Sequence, residues 1–194
     1  MSDLWSTDRT RDWDDALHRY PEVIASQGVA RLAELDAWYR DDLPALVRGR
    51  RPAHLTLPEL VRLTEWKMAR GVWRAPNLVL VRGNDAELVA ETSATAFGQM
   101  PHPTTPIATL ATLAGVGPAT ASAAVAAAAP ETYPFFDELV AAQIPDLGTV
   151  KWTLGFYKRY ADALRERALA LGHGWTPSNV ERALWAHVGG RTGV

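Results

Sequence analysis

Cysteine is absent from the 194 residues. That excludes disulfides, cysteine-ligated zinc, iron–sulfur clusters and a thiol nucleophile. Histidine is sparse: His18, His54, His102, His173 and His187 form no HxxxH pair and no cluster, so no metal site is expected from them. No apolar run reaches the roughly 18 residues that a membrane span needs. The longest patch, around Ala121 to Ala129, is alanine-rich and too short. The first residues, MSDLWSTDRTRDWDD, are acidic and lack a hydrophobic signal core; secretion is therefore not expected, and a cytoplasmic protein (nucleoid-associated if bacterial) is. No internal repeat, no low-complexity linker and no convincing strand pattern is found.

What is present is an ordinary globular balance, 47% apolar and 22% charged, on a chain long enough for one substantial core. The net charge of −2 argues against a nucleic-acid binder,. Its distribution is uneven. Residues 1–47 carry a net −5, residues 48–82 a net +6, residues 83–100 a net −3, and residues 101–194 balance. The basic segment reads either as one local patch or as a solvated helix face.

Hydrophobic spacing close to 3.6 residues recurs along the chain. Helices are expected over 12–26, with Pro21 as a break, and over 29–43, ended by Pro44. A basic loop follows at 48–52. Thr56-x-x-Glu59 with Pro58 forms a capping-box signature for a helix to Arg70, with Gly71 in a left-handed C-terminal position. Residues 77–82 are ambiguous between strand and helix. Further helices are expected from a cap at Asn84, from Thr104-Thr105-Pro106, over 118–128, over 148–171 with Trp152, Phe156, Tyr160 and Leu164 on one face, and after Thr176-Pro177. The tail GGRTGV is expected to fray. About nine helices make an all-α, compact multi-helix bundle, with N-terminal helices (1–50) packed onto a helical domain (51–190).

Two stretches carry chemistry. The first is WKMARGVWRAP, in which Trp66, Lys67, Arg70, Trp73 and Arg74 interleave aromatics with cations. That pattern suits phosphates and stacking, or else a core face past which the cations snorkel. The second is Leu113 to Val140. Gly115 and Gly117 permit positive φ and close backbone approach. Pro118 opens a helix of small residues whose free N–H groups, at Ala119 and Thr120, can hold an anion. Asp137, with Glu138 in reserve, follows a proline and aromatic cluster. Asp137 also suits a helix N-cap, a role compatible with facing a site.

LAGVGPATA, residues 113–121, resembles the hairpin of the helix-hairpin-helix (HhH-GPD) DNA glycosylase superfamily: a Leu, any residue, Gly, a small aliphatic, Gly, two variable residues, then Thr-Ala. YPFFDELV then supplies Asp137, 18 residues after Ala119, where that family places its aspartate. The resemblance covers about residues 113–140 and implies an HhH-GPD-type helical fold bound to DNA; a monomer is expected. Gly115, Val116 and Gly117 would match the turn whose backbone holds a phosphate, often with a monovalent cation on its carbonyls. Asp137 would match the carboxylate that stabilises an oxocarbenium-like sugar, or activates water, once a base is flipped out. Ala119 stands where strand-cleaving members carry a lysine, so lyase chemistry through that position is not expected, and no iron–sulfur cluster or other cofactor is. The backbone-binding set would be Gly115, Val116, Gly117, Ala119, Thr120, Lys67, Arg70 and Arg74. A DNA-binding or damage-sensing module without chemistry, and a protein-interaction scaffold, remain as alternatives. A decisive observation is whether Lys67, Arg70 and Arg74 share a face with the hairpin.

Overall fold

Twelve α-helices and no strand make up the described residues, 3–193, of a computed structural model. They are α1 (Thr10–His18), α2 (Tyr20–Ser26), α3 (Leu32–Ala37), α4 (Leu43–Gly49), α5 (Leu57–Arg70), α6 (Ala75–Arg82), α7 (Ala86–Gly98), α8 (Thr105–Leu110), α9 (Pro118–Ala128), α10 (Glu138–Ala141), α11 (Leu154–Leu171) and α12 (Pro177–His187). The protein is an all-helical bundle, as its spacing predicts.

Several helix starts follow from side-chain chemistry. Thr56 Oγ1 accepts from the Glu59 N–H at 3.4 Å while the Glu59 carboxylate accepts from the Thr56 N–H at 2.9 Å, which completes the capping box of α5,. Thr176 likewise accepts from the Asn179 N–H at the start of α12. Other boundaries differ from expectation. Pro44 does not end a helix. It sits in the first turn of α4, which a five-residue π turn (Trp38–Asp42) joins to α3. Proline is tolerated there because first-turn N–H groups have no intrahelical partner. Gly71 ends α5 at φ −122°, not in the left-handed region. Residues 75–82 are helical. Asp85, not Asn84, caps α7. The long C-terminal helix begins only after Thr153, which leaves Trp152 outside it.

Helix α9 runs through the centre. Ala119 to Ala127 are all buried, and their small side chains let α4, α5 and α8 close around it. The Tyr39 hydroxyl donates to the Ala123 carbonyl at 2.8 Å and ties the N-terminal half to this axis. Helix α1 lies along α12, with Trp13 edge-on to Trp175 at 6.1 Å. The expected fraying of the tail is not found for residues 189–193. The Gln27 side chain donates to the Gly189 carbonyl at 3.0 Å and accepts from the Arg191 N–H at 2.9 Å. Val194 lies outside the described residues.

Candidate functional site

The turn between α8 and α9 is fixed by Gly115. Its φ is +75°, and a Cβ there would stand 2.5 Å from the Asn77 carbonyl and 2.9 Å from Leu80 and Val81 side-chain atoms. Glycine is thus what allows α6 to touch the hairpin. Asn84 clasps the turn from the other side: its side chain accepts from the Ala114 N–H and donates to the Ala114 carbonyl, both at 2.9 Å. Gly117 differs. Its φ is −94°, and a Cβ there would meet nothing within 4 Å. It needs no special backbone conformation; it leaves space in front of α9. Having no side chain, it provides no cap for α9, whose first residues open on a cavity of ≈ 320 Å³ lined by Lys67, Arg74, Asn77, Gly117, Ala119 and Trp152 among others. Gly115→Ala should therefore lower stability by roughly 2 kcal/mol or more. Thermal unfolding checks this, and an unchanged midpoint would show that the turn yields.

The segment before Asp137 is held by its carbonyls and amides. Tyr157 donates to the Pro134 carbonyl at 3.2 Å and Tyr160 to the Phe135 carbonyl at 2.7 Å. The Phe136 N–H donates to Ser122 on α9 at 2.9 Å. Every one of these groups is buried, so each bond also spares a desolvation penalty. Asp137 emerges at the end of this rail, 8% exposed. One of its oxygens accepts from the Leu139 N–H at 2.8 Å, which makes it the N-cap of α10 as expected. The other lies 3.8 Å from the Arg70 guanidinium. Asp137 lines a second, narrower cavity of ≈ 50 Å³ with Lys67, Arg74, Glu138, Trp152 and Arg191.

Lys67, Arg74 and Trp152 line both cavities. The hairpin and the acid thus open side by side onto one basic wall. Arg74 is exposed, and neither it nor Lys67 has a hydrogen bond or ion pair from its side chain among the described residues. Three other arginines of the basic segment are held by carboxylates, Arg50 by Glu59 at 2.6 Å, Arg62 by Glu34 at 3.1 Å and Arg82 by Glu65 at 2.8 Å. Trp152, 45% exposed, rests on Phe136 at 4.8 Å between ring centroids.

Arg70 departs from its expected role as a backbone contact. It is 2% exposed and ion-paired with Glu181, itself 0% exposed. The rings of Trp185, Phe135, Trp66 and Tyr20 surround its guanidinium at 4.6 to 5.7 Å. No phosphate can reach it. The reason is helical spacing on α5: Arg70 shares a face with Trp66, which is wholly buried and donates to Asp36 at 2.8 Å, while Lys67 lies toward the cleft, where Arg74 joins it from the start of α6. Val116 is buried too and contributes its backbone alone. Glu138 is tied to Arg191.

No family model, curated protein or solved structure matches the chain. The site is therefore read from its own chemistry. Among the described residues, no group of three or more His, Cys, Asp or Glu is placed to hold a metal ion. The carbonyls of Leu113 and Ala114 already accept from Val116 and Asn84. Sequence reasoning missed Asn77, Asn84, Trp152 and Arg191. The spacing of Trp152 places it on the apolar stripe of a helix, and only the Thr153 cap, which accepts from the Phe156 N–H at 3.3 Å, marks where that helix starts.

Proposed function

We propose that this protein binds duplex DNA at the α8–α9 hairpin and acts on a flipped nucleotide with Asp137, as a base-releasing glycosylase of the HhH-GPD type. The observation that carries the reading is the shared wall: Lys67, Arg74 and Trp152 join the hairpin cavity to the acid cavity. A phosphate is received by the first-turn N–H groups of α9 and the Arg74 guanidinium, two donors that need no partner from within the protein. Trp152 offers an exposed ring face on which a base can stack. The space beside Asp137 adjoins the same wall as the hairpin cavity, so a sugar whose phosphate sits at α9 turns toward the carboxylate. The carboxylate then faces the positive charge that develops on the sugar as the glycosidic bond breaks.

Binding is tested by fluorescence anisotropy on a labelled duplex across a salt series. Arg74→Ala should weaken affinity and reduce the salt slope by about one. Gly117→Leu should fold normally yet lose about tenfold in affinity, because its side chain fills the space meant for phosphate. Unaltered binding by both variants would remove the hairpin as the interface. A binding module without chemistry is the second reading. It is favoured by the structural duty of Asp137, which caps α10 whether or not it touches a sugar.

A further inference from the structure

A further cavity with charged walls lies at the far end of α9, where Ala126 and Ala127 line it, whereas Ala119 and Thr120 at the near end line the hairpin cavity. It measures ≈ 230 Å³, and none of its lining residues lines the cleft beside the hairpin. That size falls below the roughly 300–1,000 Å³ of pockets for drug-sized ligands and limits an occupant to a small molecule. One wall is apolar, made by Pro44, Ala126, Ala127 and Pro130. The other is rich in donors. Ser178, in the first turn of α12, is 6% exposed, and neither its hydroxyl nor its N–H has a hydrogen-bond partner among the described residues. The next two amides of that turn are taken: Asn179 by the Thr176 hydroxyl at 3.1 Å and Val180 by the Thr176 carbonyl at 3.0 Å. Arg182 lies one turn beyond Ser178 on the same face,. Its Nη2 donates to Asn179, its Nε is buried without a hydrogen bond, and no carboxylate pairs with it among the described residues. Arg40 faces the cavity from the π turn, but Asp36 and Glu181 already lie 3.4 and 4.0 Å from it. Burial, and then the Arg40 guanidinium, pull Arg182 below the ordinary arginine range,. Glu131 stands exposed at the rim and pairs with neither arginine.

We infer that this cavity binds a small organic monocarboxylate, its oxygens held by Arg182 and Ser178 and its apolar body against the proline and alanine wall. The site is separate from the proposed DNA interface and does not depend on it. The wall holds donors that lack an acceptor, and an ionised carboxylate supplies acceptors and no donor. Arg182 offers Nη1, which has no partner among the described residues, and an N–H of a guanidinium makes its strongest hydrogen bonds to such an anion. Ser178 adds its hydroxyl and the free amide of a helix N-terminus, where the aligned peptide dipoles favour negative charge. Charge selects the class of ligand. Arg40 is balanced by its two acids, which leaves the single charge of Arg182 without a counter-ion. One carboxylate neutralises that charge. A phosphomonoester brings nearly twice as much, with Glu131 at the rim to repel the excess,.

The test records saturation-transfer NMR of benzoate with the full chain at constant ionic strength. Isobutyrate, inorganic phosphate and benzamide are added as competitors. The expected result is saturable benzoate binding at millimolar concentrations, displaced by isobutyrate and at least about tenfold less well by phosphate. Benzamide, which keeps the ring but has no charge, should not displace it. Arg182→Gln should weaken binding at least about tenfold, and Ser178→Ala about fivefold. Ser178→Ala leaves the Thr176 cap in place, so it reads the site even where Arg182→Gln fails to fold. Arg74→Ala, in the cleft, should leave benzoate affinity within about twofold. Four outcomes overturn the inference: no saturable binding of either carboxylate, benzamide bound as tightly as benzoate, phosphate the stronger competitor, or binding weakened by Arg74→Ala and by neither variant of α12.

Discussion

Asp137→Asn should bind a lesion-bearing duplex as tightly as the parent and release its base at least about 100-fold more slowly. The substitution separates the two duties of this side chain. Asparagine caps helices as well as aspartate does, so the acceptor for the Leu139 N–H survives and α10 keeps its start. What disappears is the negative charge that the proposed reaction sets against the sugar. The assay is abasic-site formation on a panel of damaged-base duplexes, with anisotropy on the same duplexes for binding. Glu138→Gln is the matched control. Glu138 is held by Arg191, and its loss should change the release rate by no more than about threefold, as for a neighbour that only packs. Base release by the parent that persists in Asp137→Asn would eliminate Asp137 as the acid. Binding with no release from any duplex would favour the module without chemistry.

The second large effect concerns stability. Behind Asp137 runs a buried file of alternating charge: Asp36, Arg40, Glu181, Arg70, Asp137. Arg40 lies 3.4 Å from Asp36 and 4.0 Å from Glu181, and Arg70 bridges Glu181 to Asp137. Tyr20 donates to Asp36 and accepts from Arg40, at 2.8 and 2.7 Å. Removing one member strands its neighbour in a medium that cannot solvate it. Glu181→Ala should therefore lose about 3–5 kcal/mol, a fall in Tm of roughly 6–20 °C for a chain of this size. A loss below about 1 kcal/mol would mean that water enters the file.

Arg70→Met adds a pH signature. Burial pushes the Glu181 carboxyl up, and the Arg70 guanidinium is the strongest influence opposing it. Without Arg70 the carboxyl rises further. A folded-state value above the unfolded one means that protonation favours the folded state. Stability is then fully present at low pH and lost as pH climbs through the raised value. The variant should thus be measurably more stable near about pH 5 than near about pH 8, the reverse of ordinary acid denaturation. Denaturant titrations at the two values decide it.

The sequence carried the parts of this arrangement that depend on neighbours in the chain. The Thr56–Glu59 box, the Thr176 cap, Gly115 in its left-handed turn and Asp137 as an N-cap are local chemistry, and each lies where its spacing placed it. The failures come from distant partners. Arg70 read as a surface cation because its counter-ion, Glu181, lies 111 positions away. Residues 77–82 read as ambiguous because their apolar run is short. They are helical, and Gly115 leaves room for α6 to lie against the hairpin. Asn84 read as a cap, the duty Asp85 performs, since nothing nearby shows that its side chain reaches across 30 positions to Ala114.

The docking of the tail through Gln27 bears on when the cleft becomes usable during synthesis. Its walls draw on α5, the hairpin, the Asp137 rail and Arg191. Arg191 reaches the acid cavity because the turn that carries it is fastened to the end of α2. A chain emerging from the ribosome from its N-terminus can form α1 to α9 early, but it lacks the residue that holds Glu138. The site is completed by a contact between Gln27 and residues 189–192, more than 160 positions apart. A nascent chain therefore carries an incomplete cleft until Arg191 has been made.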